Sequence, residues 1–284
     1  MRVLFIGGTG LISSACTELA VRRGFVQRDV ELFGGKVRQY IFISSASAYQ
    51  KPPLDYVITE STPLVNPRWQ YSRDKAACED LLMQEHRRGG FPFTVVRPSL
   101  TYGPSMIPLA VNSWSRPYTI IERMRAGRKV IVPGDGTSLW TVTWNGDFAK
   151  GFVGLLGNQR AIGHAFHITS DEVLTWDQLY TETARAAGAE PNLLHVASEF
   201  IIAFCPDQEG NLLGDKAVTA VFDNSKIKRF VPGFVATTTF AQGVRRALAW
   251  FEADPARCAV DEEANATWDR IIEAYESGLA SAGA

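Results

Sequence analysis

The chain has 284 residues, of which 46% are hydrophobic and 21% charged, and its formal net charge is -1. This composition is typical of a globular protein with a sizeable core, and the scattered Lys and Arg residues argue against binding to nucleic acid or an anionic membrane. Because no apolar run reaches transmembrane length, we expect a cytoplasmic protein without nucleic-acid or membrane partners.

The cysteines and histidines give no sign of a metal site. The four cysteines are far apart and form no C-x-x-C pair: Cys16, Cys78, Cys205 and Cys258. The sequence therefore predicts neither a disulfide framework nor a zinc site. His164, His167 and His195 lack the spacing of metal ligands, so we interpret them as core or surface residues and expect no metal.

A strand, a Gly-rich turn and a helix are predicted at the start of the chain. The apolar run at residues 3–6 leads into Gly7-Gly8-Thr9-Gly10, and helical periodicity follows from Leu11 to Arg23. In a dinucleotide-binding fold, such a turn lets backbone N–H groups approach a pyrophosphate at the helix N-terminus. Ser13 stands where a third glycine is usual, and the turn alone leaves a purely structural role open. The candidate cofactor contacts here are Gly7, Gly8, Thr9, Gly10, Leu11 and Ile12.

Residues 25–39 are too short for the strand–helix units that a dinucleotide-binding fold needs next. The segment 25–28 leads directly into the helix-like residues 29–33, and the next strand follows at residues 40–43. Two strand–helix units of such a fold, or about 60 residues at roughly 30 per unit, are absent from this segment. We predict that a segment is missing between Gly24 and Asp29, near residues 25–28.

The apolar run Tyr40-Ile41-Phe42-Ile43 predicts a buried parallel strand, and a Ser-rich turn, residues 44–49, follows it. Ligands of open α/β sheets bind at the carboxyl ends of the strands. A serine hydroxyl at this edge can donate a hydrogen bond to a substrate oxygen. The alternative is that these hydroxyls only satisfy the turn.

Tyr71 and Lys75 lie four residues apart in a predicted helix, so both side chains lie on one face. The run of good helix formers after Lys75 continues to Gly89-Gly90, which predicts the helix end. A lysine cation beside a tyrosine favours phenolate, which can take a proton from a substrate hydroxyl. The same spacing also occurs on ordinary exposed helices.

The rest of the chain continues the alternation of strands and helices. Residues 93–96 predict a buried strand, the 97–104 loop lies at the same sheet edge, and residues 105–118 predict a substrate loop. Asp147 is predicted to cap the helix that follows it. Further helices are predicted at 120–126, 176–187, 223–230, 240–251 and 261–277, and strands at 130–132, 165–169 and 193–196.

A series of motifs along nearly the whole chain carries a family resemblance. They are Gly7-Gly8-Thr9-Gly10, Ile43-Ser44-Ser45-x-x-x-Tyr49, Tyr71-x-x-x-Lys75, Arg97-Pro98-x-x-x-Tyr102-Gly103-Pro104, Gly134-Asp135-Gly136, Asp147-Phe148-Ala149, Phe166-His167-Ile168 and Phe222-Asp223-Asn224-Ser225-Lys226. In this order and spacing the chain resembles the extended short-chain dehydrogenase/reductases, the NAD-dependent epimerase/dehydratase family. The resemblance implies a Rossmann-type doubly wound parallel sheet that binds NAD or NADP, with a smaller C-terminal α/β lobe over the substrate. We place the dinucleotide-binding domain at 1–104 and mainly the substrate lobe at 105–284, with some segments returning to the sheet.

The resemblance also implies roles for individual residues. Ser45 would be the catalytic hydroxyl, Tyr71 the acid/base, and Lys75 the residue that holds the nicotinamide ribose and stabilises the Tyr71 phenolate. Tyr71 and Lys75 would contact the cofactor together with Ser44 and Pro98. The implied substrate contacts are Ser45, Ser47, Leu100 and Trp140, although Ser44 and Ser47 could instead satisfy the turn.

Residues that differ from those of similar enzymes restrict the type of reaction that we expect. Similar sugar-nucleotide dehydratases have Asp-Glu where this chain has Ala46-Ser47, and similar GDP-fucose-forming enzymes have a cysteine at the position of Ala46. Dehydration and carbon-acid epimerisation are therefore disfavoured. We expect reversible hydride transfer at a secondary hydroxyl, either as net oxidation or reduction or as epimerisation through a transient ketone.

Two predicted substrate-binding residues also differ from the family pattern. Leu100 and Trp140 replace an Asn and an Arg that hold the diphosphate in similar sugar-nucleotide enzymes. Because an indole offers a stacking face, we expect a sugar, polyol or nucleoside-like substrate without a diphosphate. The alternatives are a nucleotide-sugar substrate, a Trp140 that only packs, and a non-catalytic relative that binds RNA or a partner, like the chloroplast stem-loop-binding branch. The assembly is left open, with a homodimer as one choice.

Overall fold

The computed structural model describes residues 24–282. The predicted cofactor contacts Gly7, Gly8, Thr9, Gly10, Leu11 and Ile12 lie outside the described residues. Gly24 has φ 64° and precedes a helix that runs unbroken from Phe25 to Phe33. This helix passes through residues 25–28, where we expect missing material, and the chain on its N-terminal side is not described. The missing segment therefore stays a prediction.

Strands and helices alternate through the described range. The strands are β1 (Tyr40–Ile43), β2 (Val57–Ile58), β3 (Phe93–Arg97), β4 (Leu100–Tyr102), β5 (Val130–Pro133), β6 (Leu139–Trp140), β7 (Val142–Trp144), β8 (Ala165–His167), β9 (Leu174–Thr175), β10 (Leu193–Val196) and β11 (Val221–Phe222). The α-helices are α1 (Phe25–Phe33), α2 (Gln70–Gly89), α3 (Thr119–Arg125), α4 (Asn145–Leu155), α5 (Trp176–Ala186), α6 (Ser198–Phe204), α7 (Ser225–Phe230), α8 (Phe240–Glu252) and α9 (Glu262–Ala282). One π-helical turn spans Leu212–Lys216. The later elements lie within a few residues of their predicted ranges, and residues 105–118 form a long connection between β4 and α3.

A three-stranded parallel sheet in the order β1-β3-β8 carries the first part of the fold. Alternate strand residues point to opposite faces. Phe42 and Val95 pack on the face covered by α1 and α2, whereas Ile41 and Val96 pack on the face covered by α4 and α7. Because both faces of the parallel sheet are covered by helices, this is the doubly wound arrangement, and the predicted fold class is confirmed.

The remaining strands form small two-stranded sheets. β4 pairs with β7, β5 with β10, and β2 with β11 in parallel, while β6 pairs with β9 in antiparallel fashion. Their largest core cluster is rich in aromatic residues and includes Trp140, Trp176, Tyr180 and Phe251. This is the predicted C-terminal α/β lobe. β8 returns to the three-stranded sheet, and the domain boundary at 104 stays a prediction.

Helix α2 ends where its sequence predicts. It begins one residue before Tyr71, and Gly90, with φ 70°, ends it in the left-handed conformation that a glycine adopts without strain. A buried ion pair fastens the helix to β3. Arg97 donates to both carboxylate oxygens of Glu79, with Nη2 to Oε2 at 2.6 Å and Nε to Oε1 at 3.0 Å. Lys75 and Glu79, the partner of Arg97, therefore lie four residues apart on the same face of the helix.

The predicted N-cap at Asp147 is wrong. Helix α4 begins at Asn145 with Trp144 at the N-cap position, so Asp147 lies inside the first turn. Its carboxylate accepts from Lys150 Nζ at 2.6 Å and from the backbone N–H of Thr238 at 2.8 Å. Burial raises the pKa of this carboxyl, but these hydrogen bonds outweigh it and hold the pKa below its usual value. Asp147 thus ties α4 to the segment before α8.

None of the helices between residues 24 and 282 is long and apolar enough to cross a membrane. Over the same residues, no group of three or more His, Cys, Asp and Glu side chains is arranged to hold a metal ion.

Candidate functional site

The Ser-rich turn after β1 lies against the carboxyl end of β3. Ser44 N–H donates to the carbonyl of Val96 at 2.7 Å, and Ala46 N–H donates to the carbonyl of Pro98 at 2.9 Å. The Ser44 side chain is 2% exposed, and its Oγ has no hydrogen-bond partner among the described residues. The turn therefore presents a buried, unused hydroxyl at the sheet edge where ligands bind in such folds.

Three serine hydroxyls connect this turn to helix α2. Ser72 Oγ donates to Ser47 Oγ at 2.8 Å, and Ser47 Oγ lies 2.8 Å from Ser45 Oγ. The Ser47 backbone N–H also donates to Ser45 Oγ at 3.2 Å. Because Ser47 Oγ accepts a hydrogen bond from Ser72, the Ser47 hydroxyl can donate its own hydrogen bond to Ser45 Oγ. The Ser45 hydroxyl is then available to donate a hydrogen bond to a ligand.

Tyr71 and Lys75 lie at the same edge. Lys75 Nζ donates to the carbonyl of Ile43 at 2.8 Å and lies 5.6 Å from the centroid of the Tyr71 ring. The Trp69 ring packs against Tyr71 with centroids 5.1 Å apart. Burial holds the pKa of the Lys75 ammonium below its usual value, while Cys78 and Glu79 act in the opposite direction.

The structure thus brings the predicted residues of the turn and of α2 together. Ser44, Ser45, Ser47, Tyr71 and Lys75 come from two elements that meet at the carboxyl edge of β1, and Pro98 joins them through its carbonyl. Their catalytic and binding roles stay predictions. The arrangement provides two hydroxyl donors and a cation near a phenol, which are the groups that proton transfer at an alcohol requires.

Tyr49 has a different environment from Tyr71. It is fully buried, and its hydroxyl lies 3.2 Å from His167 Nδ1, whose Nε2 is 2.6 Å from the carbonyl oxygen of Asp223. Because a carbonyl can only accept, Nε2 carries the proton and Nδ1 accepts from Tyr49. Burial raises the pKa of Tyr49, with Arg97 opposing. Tyr49 is therefore a buried neutral phenol, and His167 is a core histidine.

The two predicted substrate residues of the C-terminal lobe are less accessible. Leu100, in β4, is half-buried and packs against the core of the lobe. Trp140 is 3% exposed, and its ring stacks on Trp176 with centroids 5.5 Å apart. Lys51 Nζ lies 5.3 Å from the Trp140 ring centroid. A ligand could stack on this indole only after neighbouring side chains moved, so the geometry favours the packing alternative and the stacking role stays a prediction.

Two residues at the site were missed by sequence reasoning. One is Ser72, and the other is Asn66, whose Nδ2 donates to the carbonyls of Ser47 at 2.8 Å and Gly214 at 2.7 Å. Asn66 therefore fastens the Ser-rich turn to the π-helical turn 212–216. Ser72 was visible beside Tyr71, but a single hydroxyl has no spacing signature. Nothing in a loop asparagine indicates a partner 148 residues away.

A parallel sheet covered on both faces, with a Ser-rich turn and a Tyr-x-x-x-Lys helix at its carboxyl edge, defines a Rossmann-type α/β protein. The model of the NAD dependent epimerase/dehydratase family matches residues 30–169 of this chain. The predicted resemblance is therefore confirmed.

Parts of the chain are also similar to individual proteins. The chain is 31% identical over 161 residues to the chloroplast stem-loop binding protein of 41 kDa b from Arabidopsis thaliana, covering 56% of this chain and 39% of the relative. It is 26% identical over 202 residues to 2'-dehydrokanamycin reductase from Streptomyces kanamyceticus, covering 70% and 55%. The matches thus span about two fifths to just over half of these relatives.

A solved structure shares the fold. UDP-glucuronic acid 4-epimerase from Bacillus cereus, in complex with NAD, superposes with a TM-score of 0.64 at 18% identity and covers 82% of this chain and 67% of that one.

Proposed function

We propose that this protein is an NAD- or NADP-dependent epimerase or oxidoreductase that transfers a hydride reversibly at a secondary hydroxyl of a sugar, polyol or nucleoside-like substrate. The observation that carries the proposal is the meeting of the Ser-rich turn with Tyr71 and Lys75, joined by the Ser72–Ser47–Ser45 hydroxyls and by the Lys75–Ile43 hydrogen bond. The match of residues 30–169 to the NAD dependent epimerase/dehydratase family model supports the same chemistry.

The residues at the edge fit a nicotinamide dinucleotide. Ser44 has an orphaned buried hydroxyl, and Lys75 uses one of its three N–H donors on Ile43, so both retain donors for a ribose or an amide. The solved relative bound to NAD supports this assignment. A bound nicotinamide would supply the hydride acceptor or donor.

Side chains of this protein would carry out the proton transfer at the substrate hydroxyl. The Tyr71 oxygen takes the proton of the substrate hydroxyl, and Ser45 donates a hydrogen bond to the same substrate oxygen. The Lys75 ammonium, 5.6 Å from the centroid of the Tyr71 ring, stabilises the phenolate electrostatically. The burial of Ser47 and Ser72 keeps water from competing for the hydroxyl relay.

Dinucleotide binding is the first test, because the relative named for stem-loop binding makes RNA the rival ligand. We expect NAD or NADP to bind in calorimetry, and Lys75→Met to weaken that binding by about 10–100-fold, since a charge-assisted hydrogen bond contributes about 1.5–3 kcal/mol. Lys228→Met is the matched control, because this lysine is exposed and pairs only with exposed Asp171 among the described residues. Binding of a stem-loop RNA without any dinucleotide binding would overturn the proposal.

The hydroxyl relay predicts an effect of Ser72→Ala. The change removes the donor to Ser47, so the Ser45 proton is no longer directed to the substrate. We expect kcat to fall by about 3–10-fold, equivalent to one hydrogen bond of roughly 1 kcal/mol, with KM for the dinucleotide unchanged. Ser61→Ala, at an exposed hydroxyl, should leave both constants unchanged. A loss of dinucleotide affinity equal to the loss of kcat would show that Ser72 supports the fold instead.

A further inference from the structure

Two buried lysines share one carboxylate beside Trp140. Lys51 follows the Ser-rich turn, and its Nζ lies 3.2 Å from Asp215 Oδ1. Lys216 lies at the end of the π-helical turn, and its Nζ is 3.4 Å from Asp215 Oδ2. We name these three residues the lysine cluster.

The lysine cluster carries more positive than negative charge. All three side chains are buried, and the described part of the chain brings no second carboxylate into ion-pair contact with either ammonium. Asn211 Oδ1 accepts from Lys216 at 2.6 Å, which satisfies one donor without neutralising the charge. An uncompensated buried cation is unfavourable, and burial accordingly lowers the pKa of Lys216. Among the residues described, the lysine cluster therefore lacks a second negative charge to balance its two ammonium groups.

An unused donor lies against the same lysines. The Trp140 ring centroid is 5.3 Å from Lys51 Nζ and 5.9 Å from Lys216 Nζ. Its Nε1–H is buried and has no hydrogen-bond partner within the described residues. Buried indole N–H groups are almost always paired. Two ammonium groups and a free N–H are the donors that an oxyanion accepts from.

The lysine cluster is joined to the candidate catalytic turn. Asn66 donates at once to the carbonyl of Ser47 and to that of Gly214, the residue before Asp215. On its other side, Lys216 Nζ lies 5.8 Å from the ring of Trp114. Trp114 lines a cavity of about 410 Å³ in the C-terminal lobe. The lysine cluster is therefore linked to the Ser-rich turn through Asn66 and to the wall of this cavity through Trp114, while Lys51, Lys216 and Trp140 themselves do not line the cavity.

The cavity restricts how much negative charge such a ligand can carry. Three acidic residues lie among its lining: Asp207, Asp261 and Glu263. Hydrogen bonds from Ser113 and the Ala264 N–H lower the pKa of Asp261, which keeps this carboxylate ionised. A chain of several phosphates reaching into the cavity would meet these like charges. A ligand with one anionic group at the lysine cluster and an uncharged remainder avoids them.

We propose that Lys51, Lys216 and the Trp140 N–H form an oxyanion subsite for a single carboxylate or phosphate monoester group of the substrate. This inference rests on the proposed function for its assignment to a substrate. It goes beyond that function by naming a charged group on the substrate. Similar sugar-nucleotide enzymes hold an anion with an arginine at the position of Trp140. The inference assigns this role to Lys51 and Lys216 in this chain.

The test compares four hexose probes by calorimetry: D-glucuronate, D-glucose 6-phosphate, uncharged D-glucose and UDP-glucose. We expect at least one anionic probe to bind tenfold or more tightly than glucose, and Lys216→Met and Lys51→Met each to remove that preference. Lys228→Met, at an exposed lysine, should retain it. Preference for glucuronate alone identifies a carboxylate, and preference for the phosphate alone identifies a phosphate monoester.

Three results would overturn the subsite: no anion preference in the wild type, tighter binding of UDP-glucose than of either single-anion probe, or a preference that both Met variants retain while folded by circular dichroism. Dinucleotide binding is measured on the same samples. A wild type that binds NAD or NADP without any anion preference overturns the subsite alone. Anion binding that needs both lysines, without dinucleotide binding, overturns the proposed function alone.

Discussion

Replacing Tyr71 by phenylalanine should lower turnover by about 10²–10⁴-fold and leave dinucleotide affinity within a few-fold, because the change removes a proton-transfer group and little contact area. Turnover is measured as NADH or NADPH formation with whichever alcohol of a sugar and polyol panel reacts fastest. The ring contacts with Trp69 and Lys75 persist in the variant, so the fold of α2 should be unchanged.

The matched control for this change is Tyr56→Phe, at a tyrosine that is 61% exposed, which should retain normal kinetics. Near-normal turnover in Tyr71→Phe would remove Tyr71 from the reaction. Tyr49 would be a poor replacement, because its phenol is fully buried and committed to His167. Proton transfer would then have to run through the serine hydroxyls.

Breaking the buried Arg97–Glu79 pair should have the largest effect on stability. Glu79→Leu leaves a buried guanidinium without its carboxylate, and we expect the free energy of unfolding to fall by about 3–5 kcal/mol. Chemical denaturation followed by circular dichroism measures this loss. The double variant Glu79→Leu/Arg97→Met should recover at least half of it, since a well-packed apolar pair often replaces a buried ion pair without loss.

A more exposed pair on the same helix is the control. Glu85 pairs with Arg88, whose side chain is 71% exposed, so Glu85→Leu should change the free energy of unfolding by about 0.5 kcal/mol or less. If Glu79→Leu lost no more than Glu85→Leu, the charge on Arg97 would be compensated in another way. The carbonyl of Glu60, which accepts from Arg97 Nη1 at 3.1 Å, and the Tyr49 ring would be the compensating groups.

Local pattern in the sequence predicted most elements of the fold. The helix carrying Tyr71 and Lys75 ends at the predicted glycines, because helix formers and a glycine stop act over a few residues. The apolar run 40–43 followed by serines likewise predicted a parallel strand with hydroxyls at its carboxyl end. Asp147 shows the limit of such patterns, since a capping residue type can also lie inside the first turn.

Contacts between distant segments were decided by the tertiary structure alone. The Ser72–Ser47 hydrogen bond, the Asn66 bridge to Gly214 and the pairing of Lys51 with Asp215 join residues 25, 148 and 164 positions apart. Spacing rules follow from the repeat of one helix or strand and carry no information about which elements pack together. The sequence by itself therefore determined the family resemblance, the sheet class and the Tyr71–Lys75 face. Whether Trp140 is a stacking face or a buried neighbour of two lysines depended on side-chain packing across the C-terminal lobe.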